Sequence, residues 1–148
     1  MSLSFFVIST YTPATCDGGF YTTAFDAVAA AGGVTYDASY PYDPWVLKCD
    51  SAKNGRAVTV TKWHRVEGQQ AMIDHVLGGG TLVVAVDASV FGDYKSGTFS
   101  NCLAPTANHA VQIVGVNVNE GYWIIRNSWG DRWGDQGYMK LALICANP

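Results

Sequence analysis

Charge is scarce in this chain. Asp, Glu, Lys and Arg make up 14% of its 148 residues, and the formal net charge is −3. No Lys or Arg precedes Lys48, and none cluster afterwards. A duplex or an anionic bilayer is held by many cations on one face, so neither nucleic acid nor membrane is expected as a partner. Long apolar runs are missing too, and nothing approaches the roughly 20 residues that span a bilayer. The short stretch Leu3 to Ile8 lacks a basic flank and is expected to be a core segment or chain start, not a targeting signal. Cysteine is limited to positions 16, 49, 102 and 145, with no C-x-x-C and no zinc-type spacing to a His. No metal and no cofactor are therefore expected. An even count permits disulfides and an oxidising compartment, but does not assign the pairing. Repeats and low-complexity segments are absent.

What remains is rich in apolar residues, at 49%, with sixteen Gly, eight Tyr and five Trp. Such a chain can bury a core and favours turns and strands over a helical bundle. Thr23 to Asp26 reads as a helix start, with Thr23 as N-cap. Phe25, Val28, Ala29 and Ala31 supply an apolar face, and Gly32-Gly33 stops the helix. Tyr40-Pro41-Tyr42-Asp43-Pro44 is turn-forming, because each proline keeps the preceding residue extended. Ala57 to Thr61 alternates as a strand would. Residues 69–77 place Met72, Ile73, Val76 and Leu77 on one helical face, closed by Gly78-Gly79-Gly80. Then come strand-like runs at 82–86, 110–116, 122–126 and 138–143. The texture predicts an α+β chain with a partly helical part, 1–62, and a β-rich part, 63–148.

Two residues could carry chemistry. His109 stands at the mouth of an apolar run, where a strand can fix its backbone while the ring faces a cleft. A lone His is more often a satisfied structural residue, so context has to decide. Asn127 stands at the exit of the next run. Its side-chain oxygen can accept from one imidazole nitrogen and aim the other at a nucleophile. The bland alternative is a turn Asn bonding its own backbone. Antiparallel neighbours would bring 109 and 127 to adjacent strand ends.

At these residues the chain resembles a family. Tyr122-Trp-Ile-Ile-Arg-Asn-Ser-Trp-Gly-Asp-Arg-Trp-Gly-Asp-Gln-Gly-Tyr138 resembles the asparagine segment of papain-like cysteine peptidases, and Asn108-His-Ala-Val-Gln-Ile-Val-Gly115 their histidine segment. In the same order, Cys16-Asp-Gly-Gly-Phe20 resembles a Cys-Asn-Gly-Gly element and Ser39-Tyr-Pro-Tyr42 a Tyr-Pro-Tyr turn. Val84 to Ser89, with Tyr94 to Gly97, resembles the strand before the histidine. The likeness runs from about Cys16 to Leu143. An unrelated β-rich ligand-binding module would require five ordered motifs to coincide.

The resemblance implies a papain-like two-lobe fold, represented by a remnant of the helical lobe (1–62) and the β-barrel-like lobe carrying His and Asn (63–148). It implies that His109 is the general base and acid, Asn127 its orienter and Trp129 the indole covering the pair. Gly18 and Gly19 resemble glycines that pair with an extended substrate. Asn108 resembles the residue whose carbonyl meets substrate beside the scissile bond. Phe20, Tyr21, Ala85, Ala107 and Ala110 fall where the family lines the pocket for the second residue before the cut, so a bulky apolar residue is expected there. A peptide or protein substrate follows as partner, with a propeptide or cystatin-like inhibitor, and a lysosomal, vacuolar or secreted location.

One element departs from the pattern. The family's nucleophile lies in a Cys-Gly-Ser-Cys-Trp signature about 130 residues or more before the histidine. No such signature, and no matching oxyanion glutamine, exists in this sequence. The expectation is a nucleophile encoded upstream of Met1 and an isolated chain that is inactive. Cys16 resembles a disulfide partner of that upstream part, not the nucleophile. Cys49 has no cysteine near Ser9 to Tyr11, where its usual partner would lie. Cys102 resembles one that pairs near the C-terminus, where Cys145 could serve. His64 and His75 match nothing functional. Three readings follow: a fragment of a cysteine peptidase, a half-enzyme completed by another chain or a second copy through the exposed half cleft, and a non-catalytic peptide-binding protein.

Overall fold

A computed structural model describes residues 19–42, 57–102 and 106–145. The expectations for Leu3 to Ile8, Cys16, Gly18, Asp43-Pro44 and Cys49 lie outside these residues. The chain divides into two compact units, Met1–Arg65 and Val66–Pro148.

In the first unit, α1 spans Tyr21–Ala31. The Thr23 cap does not form. Phe20 holds the N-cap place with extended backbone, no side chain caps the helix, and Phe20's carbonyl accepts Ala24's N–H at 3.2 Å. The helix thus starts three residues earlier, and Asp26 accepts Trp63's indole N–H at 2.7 Å. Of the predicted apolar face only Val28 is fully buried. Gly32 ends the helix at φ 81°, a left-handed conformation that glycine adopts without a Cβ penalty. The strand expected at 57–61 shrinks to one antiparallel bridge, Val58 to Val34. Alternation alone makes no strand without a partner, and among the described residues only Val34 supplies one. Gly33 is fixed by this bridge, because a Cβ there would collide with Val58's carbonyl oxygen.

In the second unit, α2 spans Gln69–Leu77 and buries Met72, Ile73 and Val76. Leu77, expected on that face, is 63% exposed. It ends the helix just before the glycines and falls beyond the core edge. Five strands follow: β1 Leu82–Val86, β2 Thr98–Phe99, β3 His109–Asn117, β4 Tyr122–Arg126 and β5 Tyr138–Ala142. They form one sheet in the order β1-β3-β4-β5-β2. All pairs are antiparallel except β2 with β5. The run expected to 143 stops at Ala142, and Leu143–Cys145 turn as a 3-10 helix.

Side chains alternate across a strand, so register decides which ones meet. Ile113 faces Ile125, which faces Met139, and Trp123 faces Leu141. All five are at most 1% exposed and form the core with α2's Met72, Ile73 and Val76. At roughly 1.5–3 kcal/mol per buried large apolar side chain, this layer is the unit's main source of stability. A disulfide joins Cys102 to Cys145.

Candidate active site

His109 is the first residue of β3 and pairs with Val86; Asn127 directly follows β4. The same alternation that builds the core fixes where these two point. His109 continues the buried series Ile113, Val111, and Asn127 continues the buried series Trp123, Ile125. Two apolar stripes on adjacent strands therefore each end, at the same edge of the sheet, in a polar group. Their side chains meet there, with His109 Nε2 2.8 Å from Asn127 Oδ1.

The proton on that bond can be assigned from its neighbours. Ser128's backbone N–H donates to the same Oδ1 at 2.8 Å. An amide turned the other way would set two donors against each other, so the oxygen faces His109. An amide oxygen only accepts, so Nε2 carries the hydrogen. In the neutral ring Nδ1 then keeps its lone pair and can take a proton. Asn127's own N–H donates to Gly137's carbonyl at 3.0 Å, tying the residue to the start of β5. Its side-chain Nδ2 is buried and finds no acceptor among the described residues.

Trp129's ring stacks against His109, centroids 5.1 Å apart at 31°. Asn108 is held by its side chain. Its Oδ1 accepts Ala88's N–H at 2.9 Å, and its Nδ2 donates to Asp87 Oδ1 at 3.0 Å and Ser89 Oγ at 2.9 Å. Ser89's hydroxyl and backbone N–H, and then Asn108's amide, hold the Asp87 carboxyl below its usual pKa. Asp87, Ser89 and Ser128 were not singled out from sequence.

The remaining candidates separate into two groups. Ala85 and Ala110 are register partners on β1 and β3, both exposed, on the face opposite His109. Ala107 and Asn108 lead into β3 and are also exposed. Gly19, Phe20 and Tyr21 lie in the first unit, where Phe20 is 80% exposed and Tyr21 opens α1. Gly18 falls outside the described residues. Described residues of the second unit line two hollows. One, of about 320 Å³, is lined by Tyr94, Ile124, Lys140 and the 135–139 turn and touches neither His109 nor Asn127. The other, of about 250 Å³, has Asn127 in its wall beside Arg126 and Asp131. Among the described residues, the His109–Asn127 pair with Trp129's ring beside it, not the larger hollow, is the candidate for chemistry.

A sequence model described as "Papain family cysteine protease" matches residues 7–146. Mouse (Mus musculus) cathepsin S is 37% identical over 134 residues, 86% of this chain and 39% of that protein. The viral cathepsin of Choristoneura fumiferana nuclear polyhedrosis virus is 36% identical over 135 residues, 88% of this chain and 42% of that protein. Among solved structures, the bromelain protease of Ananas comosus superposes with a TM-score of 0.81 at 32% identity, covering 94% of this chain and 66% of that one. Procathepsin L2 from Tenebrio molitor gives 0.82 at 33% identity, covering 95% and 47%. The chain spans about 29% to 42% of the length of these and similar curated relatives.

Proposed function

The chain belongs to the papain family of cysteine proteases, and from that premise we propose that it carries the base-and-orienter half of a peptide-hydrolysing site. The first unit is then the remnant of the helical lobe and the second the lobe that holds the base. The observation that carries the reading is the 2.8 Å bond from His109 Nε2 to Asn127 Oδ1, with Trp129's ring stacked against His109.

The mechanism follows from the tautomer. With Nε2–H committed to Asn127, Nδ1 takes the proton of a cysteine thiol, and the resulting thiolate is the reactive species. The thiolate adds to the scissile carbonyl, the imidazolium returns its proton to the leaving amine, and water resolves the acyl-enzyme through the same base. Asn127 keeps the ring from rotating between these steps. Exposed Ala85 and Ala110 offer a small-residue surface suited to a bulky apolar side chain two residues before the cut. Gly18, Gly19, Phe20, Tyr21, Ala107 and Asn108 complete the proposed peptide-binding set. A propeptide or cystatin-like inhibitor is the proposed protein partner, and a lysosomal, vacuolar or secreted compartment suits the disulfide.

The sequence contains no Cys-Gly-Ser-Cys-Trp signature, so the nucleophile is proposed to come from outside this chain and the chain alone to be inactive. A second reading, a peptide-binding protein on a protease scaffold, draws on the same absence. Purified chain should neither hydrolyse fluorogenic peptides nor be labelled by an epoxide thiol inhibitor. Turnover with labelling at Cys16 would overturn the assignment of the nucleophile. Submicromolar binding of extended apolar peptides without turnover would favour the second reading.

A further inference from the structure

Asn108, the residue before the base, is bonded to four consecutive residues at the end of β1. Its backbone N–H donates to Val86's carbonyl at 3.0 Å, which ties the entry of β3 to the last residue of β1. Its side-chain Oδ1 accepts Ala88's N–H at 2.9 Å. That bond fixes the amide's orientation, so Nδ2 faces the other way. There it donates to Asp87 Oδ1 at 3.0 Å and to Ser89 Oγ at 2.9 Å.

Asp87 is the hub of this arrangement. Its Oδ1 accepts Ser89's hydroxyl at 2.6 Å, Ser89's N–H at 3.0 Å and Asn108 Nδ2. With its hydrogen committed to Asp87, Ser89's hydroxyl offers a lone pair to Asn108. Every bond in the set therefore depends on position 87 accepting. A carboxylate does so strongly, whereas a protonated carboxyl gains a donor and holds other donors less well. The groups that lower Asp87's pKa, Ser89 first and then Asn108, are all neutral, and desolvation opposes them. His109, the titratable group next in sequence to Asn108, is turned to Asn127. The polarity is also specific. Position 108 supplies the donor and position 87 the acceptor, so two acids there would set acceptor against acceptor, while exchanging the two residues would keep the bond.

We propose that Asp87 is a positioning residue: as the acceptor for Asn108 and Ser89 it locks the lead into β3, holds His109 and Asn108's carbonyl in place, and releases them when its carboxyl takes up a proton. The proposal rests on the base-and-orienter reading given above. Because the folded carboxyl titrates below its usual range, the lock is complete above about pH 4 and opens as pH falls through the folded value.

The test is hydrogen exchange in the intact chain, read by NMR at Asn108's backbone N–H and His109's imidazole N–H, with Ile113's backbone N–H in the core as the reference for global opening. Asn127→Ala is the control for the underlying reading. It should release the imidazole N–H and leave Asn108's N–H protected; no release overturns the base-and-orienter reading, whatever position 87 does. With that control positive, Asp87→Ala and Asn108→Asp should each speed exchange at both sites about three- to tenfold, the loss of about one net hydrogen bond. The double variant Asp87→Asn with Asn108→Asp, which reverses the bond, should return both sites to within about twofold of wild type. Unchanged exchange in folded Asp87→Ala, a response at Asn108 without one at His109, or a double variant no better protected than Asn108→Asp overturns the proposal. The unaltered protein supplies a measure that needs no variant to fold. The Asn108 Nδ2 resonance should titrate with the midpoint of Asp87's side-chain carboxyl carbon; an Nδ2 resonance indifferent to that titration also overturns it.

Discussion

Replacing Asn127 by alanine should cost this chain almost no stability, although the residue sits at the centre of the site. The reasoning starts from the bonds. The substitution removes Oδ1, which accepts from His109 Nε2 and from Ser128's N–H, both at 2.8 Å. At about 1 kcal/mol net per bond, the loss is about 2 kcal/mol. It also removes Nδ2, a buried donor with no acceptor among the described residues. Relief of such a group returns about 1–3 kcal/mol. The two effects cancel to within about 1 kcal/mol. The natural comparison is Ile125→Ala, two residues earlier on the same face and fully buried. There nothing offsets the cavity, and about 2–5 kcal/mol should be lost. Urea unfolding followed by tryptophan fluorescence, extrapolated linearly, separates the two outcomes. A loss of about 3 kcal/mol or more in Asn127→Ala would refute the reasoning, because it would mean that the amide is fully paired and retained for structure.

Other consequences follow from the same geometry. The Cys102–Cys145 disulfide closes a loop with a sequence separation of 43, so replacing both cysteines by serine should lower stability by about 4 kcal/mol on the loop-entropy account. Guanidinium unfolding of the double variant measures this, and a change under about 1 kcal/mol would contradict it. Asp87 gives a pH dependence. Its folded pKa is depressed, so its contribution is present above the ordinary carboxylate range and is lost as pH falls through the folded value, below about pH 4. Asp87→Asn takes up no proton there. The stability gap between wild type and variant should therefore narrow on acidification from pH 6 to 3, and parallel curves would sink the attribution.

The second unit was largely legible in the sequence. Residues 69–77 formed the helix their 3.6-residue spacing predicts, with glycines to close it, and β1 and β4 matched the apolar runs at 82–86 and 122–126. Long periodic segments bounded by turn residues leave little choice. The misses have specific causes. Thr23 is a good cap residue, yet backbone bonding from Phe20 starts α1 earlier. Residues 57–61 have strand alternation but only a one-residue partner. Thr98–Phe99 is two residues long, too short for any period to show, and only its neighbour β5 makes it a strand. At the site, His109 and Asn127 were visible as residue types at strand ends. Their shared face was also available, since both sit at even spacing from buried residues of their strands. The clamp was not: Ser128's N–H, and Asp87 and Ser89 around Asn108, act through backbone atoms or non-local contacts that carry no sequence signature.

The measurement that bears most directly on the base-and-orienter reading is a long-range ¹H–¹⁵N correlation spectrum of the His109 imidazole in the neutral state. A hydrogen on Nε2, slow to exchange and lost from the slow class in Asn127→Ala, is the predicted result, because only that tautomer leaves Nδ1 free to receive a thiol proton. A hydrogen on Nδ1, or an Nε2 hydrogen indifferent to the loss of Asn127, would contradict it.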